Sequence, residues 1–156
     1  MPITIRSALA SDAHQIGGLA EEFADYLRGL GDRTEFKLTA AAFLRDGFGD
    51  RSAFSGIVAE EKGRVIGYLL YHFGYDSDAA ARNLHIADLY VGIENRKRGV
   101  GTALMKAAAR IASEAGAPEL IWSVYQVNVL AAVFYKHLGA QRITDVFFMK
   151  WRVDAL

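Results

Sequence analysis

Cysteine is absent from this 156-residue chain, and proline occurs only twice. Without a thiol the chain can form no disulfide, no cysteine–zinc site and no acyl-cysteine intermediate. Small scaffolds that depend on disulfides or cysteine-bound zinc are therefore excluded. With 52% hydrophobic residues and 15 glycines, the composition is that of a globular domain rather than a disordered or collagen-like chain.

An excess of either charge is also lacking, because 18 Lys and Arg residues balance 18 Asp and Glu residues. A dedicated nucleic-acid-binding protein normally carries a basic excess, so we expect no nucleic-acid partner. The longest uncharged run, Leu120–Tyr135, is shorter than the roughly 20 apolar residues of a spanning helix. Met1–Arg6 lacks the basic and apolar regions of a cleaved signal. We expect no membrane contact and a cytoplasmic location.

Hydrophobic periodicity predicts one domain over residues 1–156 in which strands and helices are mixed. The predicted strands cover 3–9, 54–61, 64–75, 84–91, 120–125 and 141–152, and the predicted helices cover 12–30, 39–48, 99–115 and 128–138. Lys62-Gly63 is typical of a hairpin turn between the second and third strands. The helix–strand alternation near the C-terminus requires at least one parallel strand pair. The expected fold class is therefore α/β (α+β).

A glycine-rich, basic loop precedes the most regular predicted helix. It has the pattern Arg-x-x-Gly-x-Gly from Arg96 to Gly101. Glycines let the backbone approach an anion closely, and the free N–H groups and the dipole of a helix N-terminus attract it. The pattern favours a pyrophosphate site, although an ordinary glycine-rich turn beside a solvated basic run has the same letters. It matches neither a P-loop nor the three-glycine dinucleotide fingerprint.

A second motif follows downstream, with Asn128, then Phe134-Tyr135 and Gly139-Ala140. Together the two motifs resemble the GNAT superfamily of acetyl-coenzyme A-dependent N-acetyltransferases, and the resemblance is strong over Gly67–Ala140. It implies a mixed, mostly antiparallel sheet that is splayed at a central parallel pair and covered by helices on both faces. It also implies acetyl-CoA as co-substrate and no metal. The implied cofactor-binding residues are Leu89, Tyr90, Val91, Arg96, Lys97, Arg98, Gly99, Val100, Gly101, Thr102, Asn128 and Tyr135.

Within the superfamily, Gly67–Asp76 and Asp88–Val91 look like the diamine, polyamine and thialysine acetyltransferase branch. The resemblance implies acetyl transfer to a primary amine of a small molecule. Acetylation of a protein or peptide amine, and a non-catalytic acyl-CoA-binding module, stay open as alternatives. Relatives in this branch form dimers, and the apolar run Val146–Trp151 is long enough to pair or pack across subunits. A homodimer is expected.

The candidates for proton transfer are Tyr135, His85 and Asp88. Tyr135 matches the tyrosine that protonates the leaving thiolate in the family. The branch usually has Glu immediately before Asp88 as a base that works through water, but this chain has Ala87, so that role is not carried over. His85 shares a face with position 87 in a regular strand and could replace the missing base.

Three residues are candidates for binding the substrate amine. Asp88 points to the opposite face from His85 unless a bulge intervenes, and it is a candidate for binding the substrate cation or its proton. Tyr26 and Glu35 are substrate-binding candidates by their location in the resemblance. The other histidines lack ligand-like spacing, so we expect no metal.

Overall fold

The computed structural model describes residues 2–155. The strands are β1 (Thr4–Ser7), β2 (Ser55–Glu61), β3 (Arg64–Asp76), β4 (Ala81–Val91) and β5 (Leu120–Ile121), and the helices are α1 (Ala13–Gly29), α2 (Ala40–Gly47), α3 (Val100–Glu114) and α4 (Val129–His137). The five strands form one sheet in the order β1-β2-β3-β4-β5. All pairs are antiparallel except β4–β5, which is parallel. The predicted α/β (α+β) class and mixed sheet are therefore confirmed.

Helices cover both faces of the sheet. The apolar stripe of α3, including Leu104 and Ala108, is fully buried against one face, as its helical periodicity predicts. On the other face, Ile16 of α1 and Phe43 of α2 pack in a second cluster around Tyr68. Between residues 2 and 155, no helix has the length and apolar character needed to cross a bilayer.

A β-bulge in β4, the alternative that the sequence left open, decides the orientation of Asp88. Leu70 pairs with Asp88 while Tyr71 pairs with Ile86, so Ala87 is left without a partner on β3. An unpaired residue shifts the side-chain alternation by one position. Asp88 and His85 therefore lie on the same face of the sheet.

The sheet opens between β4 and the chain that follows β5. The parallel pairing is limited to Leu84 with Leu120 and His85 with Ile121. Beyond those pairs β4 continues to Val91, whereas residues 122–125 leave the ladder. The two segments diverge around a cavity, as the predicted splay requires. The predicted central position of this pair is wrong: it lies at the edge of the sheet, because β5 is the last strand within residues 2–155.

The prediction of a last strand over 141–152 is wrong for the single chain. These residues, all in the described part of the chain, form no ladder, and Phe147, Phe148 and Met149 are at least 80% exposed. The aromatic and β-branched composition favours a strand, but an extended segment needs a neighbour to supply its hydrogen bonds. The predicted strand over 120–125 likewise ends at Ile121.

Candidate active site

A cavity of about 610 Å³ occupies the opening between β4 and residues 122–125. The C-terminal half of β4 forms one wall, and the N-terminus of α3 forms the floor. Side chains of α1 and α4 close the sides. Among the lining residues are Phe23, Tyr26, Phe36, Ala87, Asp88, Leu89, Tyr90, Val91, Arg96, Lys97, Gly99, Val100, Gly101, Thr102, Trp122, Tyr125, Asn128, Phe134 and Tyr135.

The N-terminus of α3 presents free backbone donors to this cavity. Its N-cap, Gly99, has a φ of 79°, a left-handed conformation that glycine adopts without strain, and no side chain caps the helix. Lys97 also has a positive φ, which turns the loop sharply into the helix. Since the first N–H groups of a helix lack intrahelical acceptors, this end of α3 is suited to an anion.

The close approach of α3 to α4 depends on Gly101. A Cβ atom on Gly101 would lie 3.1 Å from Cζ of Phe134. That distance is shorter than ordinary van der Waals contact, so a larger residue would have to displace the aromatic ring. The lining therefore fits the pyrophosphate of a nucleotide cofactor: glycines, uncapped N–H groups and two cations converge there.

The three cations of the loop have different positions. Arg96 donates through Nε to the carbonyl oxygen of Val91 at 3.1 Å, and its guanidinium lies 4.6 Å from the ring centroid of Tyr26. Lys97 lines the cavity with Arg96. Arg98 does not line it, because its guanidinium pairs with Glu61 at 2.6 Å. The structure thus brings two of the three predicted cations to the cavity.

Tyr135 lies on the face of α4 that borders the cavity. Its ring is 4.9 Å from that of Trp122, and α4 is capped by Asn128, whose side chain accepts from the backbone N–H of Ala131. Burial and the nearby charge of Asp88 raise the pKa of Tyr135 to about 12. The phenol is therefore protonated at neutral pH and faces the same space as Asp88.

Asp88 is the carboxylate that lines this cavity, and its pKa departs from its usual value. Burial raises its pKa to about 6, and a 2.5 Å hydrogen bond donated by the Tyr68 hydroxyl partly opposes that rise. Tyr68 is fully buried, and its own pKa is raised well above the usual range, so it stays a donor. Asp88 is ionised at pH 7 and can accept a proton at slightly lower pH.

We expect Tyr68→Phe to move the titration of Asp88 to higher pH. Removing the donor takes away a hydrogen bond to a charged group, which is worth about 1.5–3 kcal/mol. One pKa unit corresponds to about 1.4 kcal/mol. The midpoint of the acid limb of the pH–rate profile should therefore move to higher pH by about one to two units, if the activity depends on ionised Asp88. The pH–rate profile checks this. Tyr71→Phe is the control, since Tyr71 packs against the opposite face of the sheet, and an equal shift in both variants would contradict the role of Tyr68.

Of the other predicted site residues, Tyr26 lines the cavity, whereas Glu35 and His85 do not. Tyr26 lines the cavity, and its hydroxyl lies 3.5 Å from Oδ1 of Asn128. Glu35 does not line it and is exposed beside Lys37, whereas the adjacent Phe36 does. His85 is also outside the lining, and its Nδ1 is 2.9 Å from Nε2 of His72. Within residues 2–155 no group of three or more potential metal ligands is clustered.

Several aromatic residues of the cavity were not among the predicted site residues. Phe23, Phe36, Trp122 and Tyr125 all line it. Phe23 stacks on Tyr90 with 4.7 Å between ring centroids. The three-residue spacing of Phe23 and Tyr26 on one helix face was the available signal in the sequence, but it also fits an ordinary core helix. The pKa of Tyr125 is raised by burial and by the charges of Asp32 and Asp88, so a second carboxylate acts on the cavity lining at Tyr125.

Comparison with known proteins is consistent with this architecture. The sequence model of the Acetyltransferase (GNAT) family matches residues 18–140. The chain is 34% identical over 151 residues to thialysine N-epsilon-acetyltransferase of Bos taurus, covering 92% of this chain and 86% of that protein. It is 35% identical to spermidine/spermine N(1)-acetyltransferase-like protein 1 of Homo sapiens, covering 69% of this chain and 16% of that protein. The solved structure of the integron cassette protein VCH_CASS6 from V. cholerae superposes with a TM-score of 0.80 at 25% identity, covering 97% of this chain and 93% of that chain.

Proposed function

Because the chain belongs to the acetyltransferase (GNAT) family and is an N-acetyltransferase, we propose that it transfers the acetyl group of acetyl-CoA to a primary amine of a small molecule. The observation that carries the proposal is the cavity that joins the uncapped N-terminus of α3 to Asp88 and Tyr135. When bound, acetyl-CoA supplies a thioester whose carbonyl carbon is open to direct attack by the amine nitrogen.

The loop and the opened strand would hold the co-substrate. We assign the pyrophosphate to the backbone of Gly99–Thr102 with Arg96 and Lys97, and the pantetheine chain to the edge of β4 at Leu89–Val91. No ladder partner follows β4 on the cavity side beyond His85. The backbone N–H near Tyr90 is therefore available to stabilise charge on the thioester oxygen.

Asp88 would accept the proton that the amine loses, and Tyr135 would supply the proton that the leaving thiolate takes up. A primary amine has a pKa near 10.4 and must lose a proton before it attacks. Asp88 holds the ammonium and accepts that proton, and its pKa of about 6 reduces the difference from the amine. Tyr135 would donate its proton to the departing thiolate.

The acceptor is proposed to be a small cationic amine. Three features support it: the cavity volume of about 610 Å³, the aromatic side chains of α1 and the neighbouring loop, and the negative charges of Asp88 in the lining and of Asp32 near Tyr125. The names of two relatives, thialysine N-epsilon-acetyltransferase and spermidine/spermine N(1)-acetyltransferase-like protein 1, support the same class of acceptor.

A panel of amines tests this proposal. Diamines, polyamines, thialysine-like amino acids and short lysine peptides are compared by kcat/KM with acetyl-CoA. We expect the small amines to exceed the peptides at least tenfold, because the carboxylate that would bind the amine, Asp88, is buried inside the cavity. A preference for peptides would replace the proposal with protein acetylation, and cofactor binding without thiol release for any amine would leave only an acyl-CoA-binding module.

Substitution of Asp88 separates its role from that of His85. We expect Asp88→Asn to raise KM for cationic amines and to lower kcat about 10²-fold or more, since both the charge and the proton acceptor are lost. His85→Gln serves as comparison, because His85 lies outside the cavity lining. If His85→Gln loses more kcat than Asp88→Asn, and if that loss is confined to the acidic limb of the pH–rate profile, then His85 and not Asp88 is the general base.

We also propose that the protein is a cytoplasmic homodimer. The intracellular supply of acetyl-CoA supports the location. The extensive apolar surface of the C-terminal residues supports the dimer. Light scattering at micromolar concentration is expected to give about twice the 17.1 kDa of one chain. A mass of one chain would contradict the dimer and would leave the acetyltransferase proposal untouched.

A further inference from the structure

The β3–β4 hairpin brings two histidines into contact outside the cavity. His72 of β3 lies directly opposite His85 of β4 in the antiparallel ladder. Nδ1 of His85 is 2.9 Å from Nε2 of His72, and the ring centroids are 4.7 Å apart. The two residues are 13 positions apart in the chain, a spacing that gives no metal-ligand signal in the sequence. The register of the hairpin, and not the spacing in the chain, makes them neighbours.

The histidine pair is accessible to solvent. β2 pairs with β3 only as far as Tyr71, so the next residue, His72, lies beyond the end of that ladder. The side chain of His72 is exposed, and that of His85 is half-buried. Neither imidazole lines the cavity. An ion in solution can therefore reach the pair without entering the space assigned to acetyl-CoA and the amine.

A neutral oxygen donor lies beside the pair on the same face of the hairpin. Asn83 pairs with Gly74, two residues along from the histidines on both strands, and residues two apart in a strand share a face. A Cβ atom on Gly74 would lie 2.6 Å from Oδ1 of Asn83. Because glycine has no side chain, the carboxamide oxygen of Asn83 reaches across to β3 there. Two imidazole nitrogens and a nearby carboxamide oxygen form a donor set for a transition metal.

The separation of the two imidazole nitrogens favours one coordination geometry. Metal–imidazole bonds are about 2.0–2.1 Å long, so an ion bound to two nitrogens 2.9 Å apart makes an N–metal–N angle of roughly 90°. Square-planar and tetragonal sites, which Cu²⁺ and Ni²⁺ prefer, have this angle. Tetrahedral Zn²⁺ needs about 109°, which corresponds to a nitrogen separation of about 3.3 Å.

We propose that His72 and His85 chelate a divalent transition-metal ion, Cu²⁺ or Ni²⁺, with Asn83 and water in the remaining positions. The ion takes the place of the hydrogen atom that the two rings share, and each ring turns about χ2, a torsion with broad preferences in histidine. Each ring then carries its proton on the nitrogen that faces away from the metal. One ring changes tautomer, so a neutral pair releases no proton when it binds the ion.

The bound ion also affects the binding of the amine, a consequence that rests on the proposed function. Asp88 pairs with Leu70, two residues along β3 from His72, and it lies on the face of His85. Two residues of a strand span roughly 7 Å. Positive charge at this distance opposes the binding of a cationic amine at Asp88. The metal therefore raises KM for such amines.

Calorimetric titration of the untagged protein with CuCl₂, NiCl₂ and ZnCl₂ at about pH 7.5 tests the site. We expect one Cu²⁺ or Ni²⁺ ion per chain, and tighter binding of Ni²⁺ than of Zn²⁺. His72→Gln and His85→Gln should each weaken binding at least about tenfold, because the second nitrogen no longer binds as an intramolecular partner. The control combines His14→Gln with His137→Gln, which removes the other two of the four histidines and should bind like the wild type.

Electron paramagnetic resonance of the Cu²⁺ protein gives a readout that does not depend on affinity. The wild type should show coupling of the copper to two imidazole nitrogens, and each single variant should show coupling to one at most. Equal Ni²⁺ affinity in the wild type and in folded His72→Gln and His85→Gln proteins would overturn the proposal. A copper spectrum that is the same in all three proteins would also overturn it.

Acetylation kinetics separate the metal site from the proposed function. With the best amine of the panel, Ni²⁺ should raise KM for the amine at least about threefold in the wild type and should leave it unchanged in His72→Gln. An equal rise in both proteins would exclude an effect through the histidine pair. If the wild type binds Ni²⁺ through both histidines but acetylates no amine, the proposed function fails and the metal site stands.

Discussion

Tyr135→Phe should lower kcat about 10²–10⁴-fold, which is the usual contribution of a positioned acid, while acetyl-CoA affinity stays within about twofold of the wild type. The phenyl ring keeps the contacts with Trp122 and Phe134, so only the proton is removed. Because burial and Asp88 raise the pKa of the Tyr135 phenol to about 12, the hydroxyl is a donor throughout the range in which the enzyme is assayed.

The measurement is steady-state thiol release combined with calorimetric binding of coenzyme A. Tyr75→Phe is a matched control, because Tyr75 is 67% exposed near the end of β3 and does not line the cavity. A folded Tyr135→Phe protein that binds coenzyme A and turns over at the wild-type rate would exclude Tyr135 as the acid.

Gly101→Asp should weaken acetyl-CoA binding at least tenfold, which corresponds to about 1.4 kcal/mol. Two physical effects act in the same direction. The added Cβ meets Phe134 at 3.1 Å, and the carboxylate places negative charge at the positive end of the α3 dipole where the pyrophosphate is expected. Gly99→Asp should have a similar effect, with added strain from its left-handed backbone.

Calorimetric titration with coenzyme A measures the change, and two controls separate its causes. Gly101→Ala tests the steric effect without the charge. Gly116→Asp places the same carboxylate at a glycine of φ 77° beyond the other end of α3, with open space around it. If folded Gly99→Asp and Gly101→Asp proteins bind coenzyme A with unchanged affinity, the pyrophosphate does not bind at this loop.

The features that could be predicted from the sequence were those set by local periodicity and turn chemistry. The apolar stripe of α3 and the hairpin at Lys62-Gly63 are both present, the latter with positive φ at both residues. The loop from Arg96 to Gly101 could be assigned to a helix N-terminus because glycine spacing and the following stripe agree. These signals arise within a few residues of one another.

The features that could not be predicted depend on distant partners. The bulge at Ala87 arises from the pairing of β4 with β3, and it places Asp88 on the face of His85. Arg98 pairs with Glu61, which is 37 positions away in the chain, and so does not line the cavity. Residues 141–152 have the composition of a strand, but the described chain places no neighbouring strand beside them, and composition does not reveal where a strand's partner lies.

The central claim is that this chain itself catalyses acetyl transfer from acetyl-CoA to a small amine. The most direct test is to mix purified protein, acetyl-CoA and the best amine of the panel, and to follow free thiol and N-acetylated amine in the same samples by absorbance and mass spectrometry. We predict that the two products appear in equal amounts over many turnovers, and that neither appears at this rate when amine or protein is omitted. Thiol release that does not depend on the amine, or cofactor binding with no acetylated product, would contradict the claim.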